Sequence, residues 1–179
     1  MGGSGLIQFE LRPVGLEDAD VLLEWRNDPL TRLSSRFCAV ISDDEHRAWL
    51  SAALSDPTRL LLLLVADAKP VASVRFDLVD ERQTDAEVSI VVAPPARGRG
   101  YSKVALKKAV DRLDETWPEV RSVQAVVHEH NSASRRLFEA AGFELERPDR
   151  RRLATLRINF GGSDASTRET GDYPGAESR

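Results

Sequence analysis

Apolar residues recur along the chain in two rhythms, and the switches between them mark the elements. Residues 6–11 alternate as a first strand, which Pro13 ends. Ala19, Leu22 and Leu23 then fall at helical spacing within 18–25, and Glu17 and Asp18 favour the start of that helix. Asn27-Asp28-Pro29 breaks it, and 31–41 has little period and reads as a loop with a short helical turn. Ser42, with Glu45 three residues on, forms a capping box for a helix running to Ala53. Residues 60–66 are the most apolar run in the chain and pair as a hairpin with 71–79. Residues 85–92 are a central strand, rich in β-branched side chains, that stops at Pro94-Pro95. Val104, Leu106, Ala109, Val110 and Leu113 carry the next helix, Trp117-Pro118 ends it, and 120–127 is another strand. A helix capped by Asn131 closes at Gly142, and 143–146 and 153–160 form a last strand pair.

Between the central strand and its following helix lies Arg97-Gly98-Arg99-Gly100-Tyr101-Ser102. Amides at a helix N-terminus point outward, carry the positive end of the dipole and suit phosphate oxygens. Glycine lets the main chain approach a ligand that a Cβ would push away. The stretch therefore reads as a phosphate cradle for a nucleotide cofactor. A dinucleotide fingerprint needs a third glycine and a P-loop needs Gly-Lys-Ser/Thr, and neither is present.

The cradle resembles the pyrophosphate loop of the GNAT family of N-acetyltransferases, Arg/Gln-x-x-Gly-x-Gly/Ala, with Arg97 and Gly100 in place and Ser102 at the last small position. Residues 131–143 resemble the family's downstream helix, Asn-x-x-Ser/Ala-x-x-x-Tyr/Phe-x-x-x-Gly-Phe, through Asn131, Ser134, Phe138, Gly142 and Phe143. The resemblance spans roughly residues 7–160 and implies an α/β (α+β) fold. It would have a mixed sheet of about seven strands, splayed between the fourth and fifth, and helices on both faces.

Composition narrows the rest. A net charge of −4 argues against broad nucleic-acid binding, and a single cysteine, Cys38, excludes an internal disulfide. No apolar run approaches membrane-spanning length, and the cytoplasm is the expected location, as monomer or homodimer. Residues 1–5 read as a flexible segment, 6–160 as one domain and 161–179 as a disordered tail. No histidine has metal-ligand spacing with Cys38.

The resemblance implies acetyl-CoA as donor and a small-molecule primary amine as acceptor, joined by direct attack in a ternary complex. Amides of 98–102 would hold the pyrophosphate, Arg97 or Arg99 would add a charged contact, and backbone near Val91 and Val92 would pair with the pantetheine arm. Asn131 is a helix cap, a cofactor contact, or both. Where many members carry a catalytic tyrosine, this chain has Phe138. Glu87, where some members place a carboxylate, and His128, after the fifth strand, are the candidate bases; a solvated strand-edge charge is the plain alternative for Glu87. Trp25, Arg26, Asn27, Arg32, Ser35, His46 and Trp49 resemble a pattern in members that acetylate nucleotide-linked amino sugars. There, arginines would pair with a diphosphate and a Trp would stack on a base or sugar, although at least one Trp reads better as a core anchor. A protein N-terminal amine as acceptor, or a non-catalytic acyl-CoA sensor, are the other readings.

Overall fold

The computed structural model describes residues 7–148 and 153–160. The segments expected to be flexible, 1–5 and 161–179, lie outside the described residues. Seven strands form one sheet in the order β1 (Phe9–Pro13), β2 (Arg59–Ala66), β3 (Lys69–Leu78), β4 (Asp85–Val92), β5 (Ser122–His128), β7 (Leu153–Asn159) and β6 (Glu144–Pro148). Pro13 closes β1 opposite Leu62 rather than lying beyond the strand, which an edge strand tolerates because one row of its amides has no ladder partner. Layers on both sides cover β2, so it needs apolar residues on both faces, and Leu62, Leu63 and Leu64 are fully buried.

Only β4 and β5 run parallel. Their pairing covers Asp85–Ser122, Ala86–Val123 and Glu87–Gln124 and goes no further. Beyond that point β4 stays paired with β3 as far as Val92, and β5 stays paired with β7 as far as His128. The sheet therefore opens as a V after Glu87. The inner edge of each arm carries backbone groups that need partners.

Cross-strand register sorts the side chains by face. Ser73, Arg75, Ser89 and Val91 share one face, over which α1 (Ala19–Asn27) and α3 (Asp43–Ser55) lie. Ala72, Val74 and Phe76 point the other way, and α4 (Tyr101–Thr116) packs there through Ala105, Leu106, Ala109 and Leu113. The capping box expected at Ser42 and Glu45 is formed in both directions. The segment read as a loop with a helical turn contains a short helix, α2 (Pro29–Leu33). Asp28 caps it by accepting from the Thr31 amide, and Pro29 sits at its first position, where no amide is needed. Thus Asn27-Asp28-Pro29 ends one helix and begins the next. At the base of α1, Arg12 donates two hydrogen bonds to Asp18 at 2.7 and 2.8 Å. Chiefly through these bonds, the buried carboxyl is held below the usual carboxylate range.

Candidate active site

The V between β4 and β5 is floored by a cleft of about 320 Å³. Ile90, Val91 and Val92 form one wall, residues 96–98 and 100–102 the base, and Asn131, Ala133, Ser134 and Leu137 from the start of α5 (Ser132–Ala140) the far side. The two sequence motifs therefore meet across one cavity. Gly98 and Gly100 take φ of +75° and +80°, in the left-handed region, and no heavy atom lies within 4 Å of where either would carry a Cβ. That combination leaves the loop backbone open to a ligand. No hydrogen bond from the amides of 98–102 is formed among the described residues, and α4 has no side-chain N-cap. Such a run of free amides at the head of a 16-residue helix is suited to bind an anion.

The side chains of this cleft divide by what already holds them. Arg97 lines it, but its Nη2 is paired with Asp28 at 2.5 Å and with the Thr31 hydroxyl at 2.9 Å. Arg97 is chiefly what draws the Asp28 carboxyl below its ordinary pKa. The pair ties the cradle to α2, whose Leu30, Thr31 and Ser34 form a further wall. Arg99 is exposed and lies outside the cleft lining. Tyr101 lines the cleft and sets its ring edge-on against Phe9, with centroids 5.7 Å apart. Asn131 both lines the cleft and caps α5, its Oδ1 accepting from the Ser134 amide at 3.0 Å. Phe138 departs from the expected cofactor contact. It is 3% exposed and packs on Phe143 in the core, while Leu137 faces the cavity. On α5 adjacent residues project about 100° apart, so the apolar side of the helix takes Phe138.

Of the candidate bases, Glu87 stands at the last position where β4 pairs with β5, at the vertex of the V and on the face shared with Ser89 and Val91, and it lies outside the lining of both clefts. Arg36 Nη2 donates to both of its oxygens at 2.8 Å, and Gln124 lies at 3.4 Å. His128, at the tip of β5, has its Nε2 3.3 Å from the carbonyl of Ser35 and lines neither cleft.

A second, larger cleft of about 460 Å³ lies between α1, α3 and the face of β2–β4. Arg26, His46 and Trp49 from the sequence pattern line it. The rest of the pattern is placed elsewhere. Trp25 is a core residue at 3% exposure, and Asn27 clamps the backbone of Ile41 by donating and accepting at 2.8 and 2.9 Å. Ser35 bonds back to the Thr31 carbonyl, and Arg32 lines neither cleft. Lining residues that were not among the sequence candidates include Arg59, Arg75, Ser73 and Ser89, together with Phe37 and Ile41 from the loop after α2. Arg36, which grips Glu87, was also not among them. The polar alternation Ser73-Val74-Arg75-Phe76-Asp77 in an interior strand was the available signal for the β3 residues. Val91 lines both clefts.

Burial dominates the titration of His46, holding its pKa below the ordinary imidazole value, with the Ala19 backbone opposing. Among the described residues, no cluster of three or more His, Cys, Asp or Glu is placed to hold a metal ion, and no helix is long and apolar enough to cross a membrane.

Solved structures with this architecture include a spermidine N-acetyltransferase from Vibrio cholerae in complex with CoA and spermine. It is 18% identical, with a TM-score of 0.75 over 85% of this chain and 95% of that one. The protein yncA from Salmonella typhimurium, with its cofactor acetyl-CoA, is 18% identical with a TM-score of 0.71 over 89% and 98%. A GNAT-family acetyltransferase from Streptococcus pneumoniae is 17% identical with a TM-score of 0.71 over 86% and 100%. At these identities the likeness concerns the fold. The search of curated proteins finds no match. The model of the acetyltransferase (GNAT) domain matches residues 8–144, which include the V, the glycine cradle and the helix capped by Asn131, and the chain belongs to the GNAT acetyltransferase family.

Proposed function

We propose that this GNAT enzyme is an acetyl-CoA-dependent N-acetyltransferase acting on a small-molecule primary amine by direct attack in a ternary complex. The observation that carries the reading is the open V whose cleft is lined by the glycine cradle and the α5 N-terminus together. Acetyl-CoA fits what is there. The free amides of 98–102 offer a diphosphate site with no side chain in the way, and the inner edge of β4 beyond Glu87 offers strand-like backbone pairing to an extended amide-bearing arm. Bound there, acetyl-CoA supplies an activated acyl group with a thiol leaving group.

The chain's own residues have three tasks. The cradle positions the donor, with Arg97 bracing the loop against Asp28 rather than acting as a free cation. Val91 forms the wall between donor and acceptor clefts. Glu87 receives the proton of the acceptor amine at Oε, since it stands on the acceptor face at the vertex of the V. The Arg36 contact holds that carboxylate in a fixed orientation. His128, engaged with Ser35, has a positioning role at the loop. Phe138 cannot donate a proton, and a thiol whose ordinary pKa is about 8.5 leaves near neutral pH without a dedicated acid.

A nucleotide-linked amino sugar is the first acceptor to try, supported by Arg26 and Trp49 on one cleft wall. The test is release of free thiol from acetyl-CoA against a panel of amines, with CoA affinity measured separately by calorimetry. Turnover with a small amine and none with peptides is the expected result. CoA binding without turnover on any amine would favour a sensor, and turnover on peptides alone a protein N-terminal transferase.

A further inference from the structure

The larger cleft has a charge character that acetyl transfer in general does not require. Three guanidinium groups line it, those of Arg26, Arg59 and Arg75, and no aspartate or glutamate does. Arg59 and Arg75 share Asp77, and Arg59 also meets Asp56, so these two are largely balanced. Arg26 is not. Among the described residues no carboxylate pairs with it. Its Nη2 donates to the Phe37 carbonyl at 2.7 Å, while its Nη1 is buried without a partner. Arg26 is half-buried, and a donor atom shut off from water without a partner is costly unless an acceptor completes it.

A second orphan lines the same cleft. His46 is 4% exposed and its Nε2 has no partner. Arg75 lies over the Trp49 ring, 5.8 Å from the centroid, and directly opposite Ser89 in the β3–β4 register. Polar groups from two helices and three strands thus converge on one cavity whose lining holds no carboxylate.

We propose that this cleft binds the acceptor through an anionic group, a phosphate or a carboxylate, held by Arg26 and Arg75 with the Ser89 hydroxyl beside them. The substrate class is an amine that carries a negative charge. The inference rests on the transferase reading only in calling the bound molecule an acceptor. It also disfavours polycations, because an ammonium here would face the unpaired Arg26 guanidinium and find no carboxylate in the lining. In that respect the chain differs from the Vibrio cholerae relative solved with spermine.

The test is calorimetric titration of the full chain, alone and saturated with CoA so that phosphate cannot occupy the glycine cradle. The probes are glucosamine 6-phosphate, alanine, glucosamine and spermidine, with thiol release from acetyl-CoA followed in parallel. An anionic probe is expected to bind at least tenfold more tightly than glucosamine or spermidine. The phosphate and carboxylate arms show which group is read. Arg75→Gln and Arg26→Gln should each remove at least tenfold of that preference while CoA affinity stays within about twofold. Arg26 also braces Phe37, so if its variant unfolds the loop, Arg75→Gln decides. Spermidine binding as tightly as the anionic probes, a preference untouched by both substitutions, or no anionic binding at millimolar concentration would overturn the proposal. Arginine-dependent anion binding with no thiol release on any amine would sink the transferase reading and uphold the anion site. Turnover with spermidine alone would do the reverse.

Discussion

The two clefts meet at Val91 yet are made of different material. The glycine-cradle cleft, which we assign to the donor, is built from backbone: free amides, two glycines in the left-handed region and a strand edge without a partner. The larger cleft, which we assign to the acceptor, is built from side chains, drawn from α1, α3 and three strands. Backbone recognition needs only a local conformation, which a short motif can encode, and it leaves the flanking side chains free to vary. Side-chain recognition needs residues far apart in sequence to be brought into register. A family can therefore keep the first while each member rewrites the second.

Substitutions can break or sharpen this contrast. Glu87→Gln should have the largest effect, lowering kcat by roughly 10²- to 10⁴-fold, the usual range for a lost general base. CoA affinity should stay unchanged by calorimetry, and a normal kcat would remove Glu87 from the chemistry. Gly100→Val should come next. A β-branched residue at φ +80° costs about 1–3 kcal/mol of stability. With a side chain at the mouth of the cradle, CoA affinity should fall on the order of 100-fold, while anion binding in the other cleft persists. Asn131→Ala should cost about 1 kcal/mol in denaturant unfolding through loss of the α5 cap. Asn131→Ser should restore that stability, and a CoA affinity still reduced in the serine variant would show that the amide also touches the cofactor.

The smallest effect concerns pH. His46 binds its proton less readily in the folded chain than in the unfolded one, where the ordinary value is 6.5. Stability from the neutral imidazole is therefore complete above that value and is lost as pH falls through it toward the depressed folded value. His46→Phe should flatten this slope, and it removes an unpartnered buried nitrogen. Acceptor affinity should fall in the same variant. A slope identical to the wild type would show that the imidazole is not the titrating group.

The same contrast explains what could be read from the chain beforehand. The β-branched run, Pro94-Pro95, Gly98 and Gly100 and the periodic helix are all local, and they announce the donor cleft directly. The V itself has no local signal. It came from the likeness of two motifs to a family, and in the structure it is visible only as pairing that stops at Glu87. In the larger cleft, Arg26, His46 and Trp49 were named only through the likeness of a residue pattern to part of that family. Arg75 and Ser89 were not, because nothing in either strand states that they face each other until the register is known. Trp25, Asn27 and Phe138 show the converse. Each matches a motif by position, but each is occupied with the core or with a backbone clamp.

Because Val91 lines both clefts, the two cavities adjoin at one residue of a strand held by its hydrogen bonds to β3. Molecules occupying both cavities would be held on opposite sides of the same rigid segment. The loss of translational and rotational freedom that would otherwise slow a bimolecular encounter is then met on binding, before any bond changes. On this account the encounter needs no hinge and no closing domain. A larger or smaller residue at position 91 should reset the approach distance for every acceptor at once, independent of its charge.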